Sequence, residues 1–340
     1  MQIACYFARK GNVVSHVFGP VPSRRLGKSL GVDPIPFKTC NWNCVYCQLG
    51  RTTPLTNERR DYFPPEQIVA EVREALESKR PGDIDWVTFV GSGEPTLHAS
   101  LGWMIRQVKA MTDIPVAVTT NCALIYQPEV REELSAADAV LPSLDAGTNR
   151  LYRAINRPHP SCTFERLIGG LEAFRRTYLG KVWIEVMLVR GMNDSDAALE
   201  QIAALLTRIA PDGVHVSLPF RPPAEPWVEP PETEALSRAT AILDDRARVV
   251  GPISETFDLS RSSNVVDAAV EIMSRHPMAE EELMKALHRW TPGKVGRALR
   301  KLAADGRAQV VNRYGVRFWS CSAARYGMAP HPNRAERGQP

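Results

Sequence analysis

No stretch of the 340 residues approaches the roughly 18–20 consecutive apolar residues that a bilayer-spanning helix needs. The opening MQIACYFARKGNVVSHVF likewise has no apolar signal-peptide core. The expectation is a cytoplasmic protein with no membrane partner. Cysteine is scarce: there are seven, an odd number, clustered instead of paired along the chain. That argues against a disulfide framework and for a reducing compartment with metal or redox chemistry. No long internal repeat is present, and no charge of one sign dominates, the net being +4. That small net hides an asymmetry. Between Lys285 and Arg317 stand nine Lys/Arg and a single acid, Asp305, so the basic character belongs to one end of the chain.

What is present is an alternation. Short β-branched runs occur at 85–91, 115–121, 139–145, 182–189 and 214–220, with a weaker one, SLGVDPIPF, interrupted by Pro34 and Pro36. Near-continuous Val/Ile/Leu runs suit strands covered on both faces, as in a parallel sheet. Between them lie amphipathic segments. PPEQIVAEVREALES has proline in its first turn, while TFERLIGGLEAFRRTY and SDAALEQIAALLTRIA open on the cap candidates Thr163 and Ser195. Six strand–helix units predict an α/β fold with right-handed crossovers, open or partly closed as a (βα)6 partial barrel over residues 1–262. In such sheets the chemistry gathers at the C-terminal strand ends. From residue 263 to 322 the texture changes to three helices and a hairpin around NRYG, the pattern of a winged helix-turn-helix domain. Residues 323–340 are Pro/Gly-rich and are expected to be a disordered tail.

The stretch TCNWNCVYCQLG, residues 39–50, places Cys40, Cys44 and Cys47 within eight residues. A structural zinc site lacks a fourth ligand nearby, with His16 and His98 as remote candidates. A thioredoxin-like Cys44-x-x-Cys47 pair leaves Cys40 without a purpose. A [4Fe–4S] cluster uses all three and leaves one iron open for a small molecule. Three buried cysteines packing as small hydrophobes are a fourth reading, disfavoured by the polar Asn41 and Asn43 among them. Further on, GSGEPTL (91–97) ends the next strand. Gly91 and Gly93 permit close backbone approach, and Glu94 adds a carboxylate able to accept from an ammonium group. Taken alone it reads first as a plain strand-to-helix turn. Two more strands end in polar groups: Thr119, Thr120 and Asn121, then Ser143 and Asp145.

The CxxxCxxC spacing resembles the signature of the radical S-adenosylmethionine (SAM) superfamily, and the resemblance runs from about residue 18 to 260. It implies that Cys40, Cys44 and Cys47 hold three irons of a [4Fe–4S] cluster and that SAM chelates the fourth. By the same resemblance Tyr46 lies against the adenine, and Ser92, Gly93 and Glu94 form the turn that binds the methionyl amine, with Ser92 where glycine is usual. Thr119 and Asn121 then face the ribose, and Ser143 and Asp145 contact ribose or substrate. Glu185 and Met187 are weaker candidates, and no catalytic residue is singled out. The implied chemistry is reductive cleavage of SAM to a 5′-deoxyadenosyl radical in an apolar barrel interior, with an electron donor of the flavodoxin or ferredoxin type.

The segments GPVPSRRLGKSLGVDPIPFKTCNWNCVYCQLG, SLDAGTNRLYRAINRP and LPFRPPAEPWV resemble predicted Fe–S oxidoreductases related to the wybutosine-type tRNA-modifying enzymes. Arg24, Arg25, Arg153, Arg157 and Arg221 are candidates for phosphate or carboxylate contacts, each with an ordinary salt-bridged alternative. Cys122 sits where a thiol could donate a hydrogen atom, with an inert buried cysteine as the default. Basic groups on the third C-terminal helix (Lys294, Arg297, Arg300, Lys301) and on the wing (Arg313, Arg317) suit RNA phosphates, or equally a protein partner. Alternatives are a peptide- or protein-modifying radical SAM enzyme, and an Fe–S redox sensor that binds DNA.

Overall fold

The computed structural model describes residues 15–23, 25–251 and 264–327. Arg24, Cys5 and the end of the expected tail lie outside the described residues. The strands β1 (Val17–Ser23) and β2 (Gly27–Val32) form an antiparallel pair. From β2 onward the sheet is parallel and runs in chain order through β3 (Trp86–Phe89), β4 (Val116–Thr120), β5 (Ala139–Pro142), β6 (Lys181–Met187), β7 (Gly213–Ser217) and β8 (Ala247–Val249). Helices α1 (Pro65–Glu77), α2 (Leu101–Met111), α3 (Pro128–Leu134), α4 (Asn149–Ile155), α5 (Phe164–Thr177), α6 (Asp196–Ile209) and α7 (Thr233–Leu243) fill the crossovers. Strand β2 stops at Val32, before Pro34, because proline has no N–H for the ladder. Thr163 and Ser195 cap α5 and α6, each side chain accepting a backbone N–H of the first turn.

A sheet whose strands follow chain order, joined by right-handed crossovers, places its helices on one face and leaves the other to curl inward. Two contacts show how far it curls. Arg25, in the β1–β2 turn, is ion-paired with Glu185 of β6. The rings of Trp86 on β3 and Trp183 on β6 are 5.7 Å apart. In a flat sheet strands β3 and β6 would stand about 14 Å apart, three spacings of ~4.8 Å. The outward face carries the main core: Val87, Val118, Val140, Val182, Ile184, Val214 and Val216 pack under the helices. The inward face has a small apolar floor of Leu26, Ala117, Ala139 and Leu141.

The C-terminal unit comprises α8 (Val265–Arg275), β9 (Met278–Ala279), α9 (Glu280–Ala286), α10 (Pro292–Ala304), β10 (Ala308–Arg313) and β11 (Val316–Cys321), with a core of its own around Met273, Leu283, Leu299 and Trp319. Its antiparallel sheet has the order β10-β11-β9. The two-residue strand β9 has no periodicity to betray it in sequence. The hairpin turns on Tyr314 and Gly315, both at positive φ (51° and 74°), as a type I′ turn demands. Residues 323–327, read from sequence as the start of a tail, are instead hydrogen-bonded to the loop that follows the cysteines.

Candidate functional site

The loop from Lys38 to Gly50 lies above the C-terminal strand ends and carries Cys40, Cys44 and Cys47, all half-buried and free. The glycine–glutamate turn after β3 is joined to it by two backbone hydrogen bonds: Lys38 N–H to Ser92 O at 2.8 Å and Glu94 N–H to Thr39 O at 2.9 Å. Gly93 is the contact point. A Cβ there would overlap the Thr39 carbonyl oxygen, so only glycine lets the two segments touch. Ser92 looks elsewhere: its hydroxyl donates to Asp33 Oδ2 at 2.6 Å and its N–H to Asp33 Oδ1 at 3.0 Å.

Glu94 is buried and ties the turn to β4. Its Oε1 accepts from Thr96 N (3.0 Å), Thr96 Oγ1 (2.6 Å) and Thr120 Oγ1 (2.5 Å), and its Oε2 from Asn121 N at 2.8 Å. Burial raises its pKa, and the four donors offset only part of that rise. Asn121 then reaches the cysteine loop, its Nδ2 donating to Asn41 Oδ1 at 2.8 Å and lying 3.6 Å from Cys40 Sγ. The Thr119 and Ser143 hydroxyls make no hydrogen bond to another described residue, while the Ser143 N–H donates to Thr120 O at 3.1 Å. Cys122 is different. It sits at φ 56°, wholly buried in the outer core, which makes it the inert cysteine and not a hydrogen-atom donor at the strand ends.

Asp145 is the second hub. Its Oδ2 accepts from Tyr46 Oη (2.5 Å) and Asn156 Nδ2 (2.6 Å), and its Oδ1 from Met187 N (2.8 Å). One buried carboxylate thus joins the cysteine loop, the end of β5, the end of α4 and β6. Asn156 was missed by sequence reasoning, although it lies in AINRP. It is fully buried, its Nδ2 stands 3.8 Å from Cys44 Sγ, and its Oδ1 has no partner among the described residues. Lys38, also missed, donates to Cys47 Sγ at 3.1 Å. The backbone N–H of Trp42 reaches Cys40 Sγ at 3.4 Å. Each sulfur therefore has an N–H donor aimed at it, from Trp42 and Asn121 for Cys40, from Asn156 for Cys44 and from Lys38 for Cys47.

Below these groups the interior is not apolar, contrary to the expectation from the strand sequences. The strands alternate: the residues that make the Val/Ile runs face the helices, while Ser29, Thr88, Thr119, Glu185 and His215 face inward. Arg25 is consumed by Glu185, Arg157 by Glu225 at 2.6 Å and Arg221 by Gln48 at 3.0 Å, which is the ordinary paired role for each. Burial, helped by Arg25 and Arg248, pushes His215 down to about 4. A depressed histidine contributes stability that is full above the ordinary value near 6.5 and is lost as pH falls through the lowered one. The melting temperature is accordingly expected to fall more between pH 7 and pH 5 for the wild type than for His215→Gln. Equal falls by calorimetry would show a solvated imidazole.

The profile of the Radical SAM superfamily matches residues 35–202. A UPF0026 protein of Methanocaldococcus jannaschii is 36% identical over 277 residues, covering 80% of this chain and 86% of its own. The chain belongs to the radical SAM superfamily. A protein named GTPase Obg from Brachyspira hyodysenteriae is 34% identical over 87% of this chain but only 44% of its own length. Among solved structures, SuiB of Streptococcus suis bound to S-adenosylmethionine superposes with a TM-score of 0.51 at 17% identity, over 66% of this chain and 50% of that one, a likeness of fold.

Radical SAM enzymes use a [4Fe–4S] cluster and SAM, and they generally need a reductant such as flavodoxin or ferredoxin. The residues present fit the cluster. Three free thiols share one loop, N–H donors face all three sulfurs, and burial pushes Cys40 up to about 12 and Cys44 well up, so thiolates there require positive charge beyond Lys38. Among the described residues no three His, Cys, Asp or Glu side chains are gathered closely enough to hold a single metal ion. Among them, too, no helix is long and apolar enough to cross a membrane.

Proposed function

We propose that this chain is a radical SAM enzyme whose cluster is held by Cys40, Cys44 and Cys47 and whose SAM lies across the ends of β3, β4 and β5. The observation that carries the reading is the convergence of those strand ends on the cysteine loop, through Glu94–Thr39, Asn121–Cys40 and Asp145–Tyr46. When bound, the reduced cluster and SAM supply a 5′-deoxyadenosyl radical to a substrate. The chain's own residues position and exclude. Gly93 leaves room beside Thr39 for close backbone approach. Glu94 offers the carboxylate edge nearest that turn to the SAM amine, and Thr119, Asn121 and Ser143 offer hydroxyl and amide groups to a ribose. Asp145 holds Tyr46 in place, which leaves one lone-pair direction of its carboxylate for a ribose contact.

The C-terminal unit is read as a winged helix-turn-helix with RNA as the partner class, within the tRNA-modifying branch. Lys294, Arg297, Arg300 and Lys301 are exposed along α10, while Val295, Leu299 and Leu302 are buried beneath them. The wing contributes less than its sequence promised. Arg313 is buried, donating to Pro219 O and Val228 O at 3.2 and 2.9 Å, and Arg317 lies 3.4 Å from Glu280. The tip of the hairpin rests on the segment after β7, and the guanidinium satisfies backbone carbonyls there. Anaerobic reconstitution, reduction and addition of SAM is expected to yield 5′-deoxyadenosine, with RNA retained by the purified protein and released by salt. An iron-loaded protein that leaves SAM intact would overturn the enzymatic reading.

A further inference from the structure

We propose that Gln48, the residue after the third cysteine, is a positioning residue of the cluster loop and that the C-terminal unit holds it there. The inference rests on the reading of Cys40, Cys44 and Cys47 as cluster ligands. Cys40 and Cys44 are positioned by the barrel, through Asn121 and Asn156. The chain leaving Cys47 is gripped mainly from the other unit.

The grip has three parts. Gln48 Nε2 donates to the carbonyl of Arg275, the last residue of α8, at 3.3 Å, and its Oε1 accepts from Arg221 at 3.0 Å. The Gln48 carbonyl accepts from Tyr326 Oη at 2.8 Å, and that hydroxyl is itself 2.9 Å from Ser320 Oγ of β11. Beyond it, Gly50 and Arg325 form a parallel β-bridge, with Arg51 N–H donating to Arg325 O at 2.6 Å. Gly50 has φ 79°, and a Cβ on it would stand 2.5–2.8 Å from the Arg325 backbone, so the approach is one only glycine allows. The strap 322–327 is pinned in turn by Gln309, whose Nε2 donates to Cys321 O and Ala324 O at 2.9 and 2.7 Å.

The same unit reaches the opposite wall. Arg275, only 8% exposed, donates to Ser15 O at 2.8 Å and lies 3.5 Å from Asp33, the residue that fixes Ser92 of the glycine–glutamate turn. The unit is therefore wedged between the segment after Cys47 and the turn facing it. A freely tethered recognition module would need none of these contacts. Groups that orient a metal ligand from behind typically change affinity or activity ~10–100-fold when removed.

The test compares Gln48→Ala and Tyr326→Phe with Glu282→Ala, a change at an exposed position of α9 on the same unit. In the anaerobically reconstituted full chain, the first two are expected to lose cluster absorbance to an iron chelator about 10-fold faster than wild type. They should also shift the paramagnetic resonance spectrum of the reduced cluster, while Glu282→Ala behaves as wild type and the apo proteins melt alike. Wild-type loss rates and spectra in Tyr326→Phe, which lacks one oxygen and keeps its packing, overturn the proposal even if Gln48→Ala fails to fold. A wild-type chain that takes up no iron sinks the cluster reading instead. Amide exchange over residues 47–51 then decides: faster exchange in Tyr326→Phe supports the grip, and unchanged exchange removes it.

Discussion

Cys44→Ala is expected to leave a folded protein without its cluster, with iron and sulfide near background and 5′-deoxyadenosine formation abolished. Two cysteines do not hold a cubane that three hold. The fold survives because Cys44 is half-buried on a loop fixed independently of its thiol, by Val45 N–H to Ile155 O at 2.9 Å and Asn43 N–H to Asn156 O at 3.0 Å. Cys321→Ala serves as the control. That thiol is buried at the end of β11, and its loss should leave the iron content unchanged. Iron at the wild-type ratio in Cys44→Ala, with SAM still cleaved, would place the ligands elsewhere.

The largest effect on stability is expected at Asp145. Alanine there strands three donors, Tyr46 Oη, Asn156 Nδ2 and Met187 N–H, each costing roughly 1–3 kcal/mol when buried and unpaired. Against this, burial raises the Asp145 pKa more than those hydrogen bonds lower it, so the native carboxylate is itself costly and its removal refunds a part. A net loss of about 3 kcal/mol follows, or roughly 4 °C in melting temperature for a chain of 340 residues. The sign of the pH effect is set by the raised carboxyl. The contribution of Asp145 is greatest below the ordinary carboxylate range and declines as pH rises through its elevated value. Asp145→Asn, which keeps an accepting oxygen, should lose less and show no such decline. A melting temperature of Asp145→Ala within 2 °C of wild type, as an order-of-magnitude bound, would mean that water already serves these donors.

The motifs of the candidate site stand out in the sequence for local reasons. The CxxxCxxC spacing is a property of one loop, GSGE of one turn, and TTN and SLD of two strand ends, each within a few residues of the backbone feature that needs it. The parallel sheet was legible because Val and Ile recur in runs that only a two-sided burial explains. Interior polarity was not. The residues that fill the Val/Ile runs are the outward ones, and whether Glu185 and His215 faced solvent, helix or barrel depended on the direction of curl.

By itself, then, the order of residues determined the chemistry available: three thiols, a carboxylate turn, polar strand ends and a basic helix. Tertiary structure decided which of these meet. It put Asn156 beside Cys44 across 112 residues and Gln48 against Arg275 across 227. It also turned Arg313 from a surface charge into a buried brace. The reason is physical: a motif requires only its neighbours in the chain, whereas a buried donor or charge must find whichever partner packing brings within about 3 Å, and no local pattern records that choice.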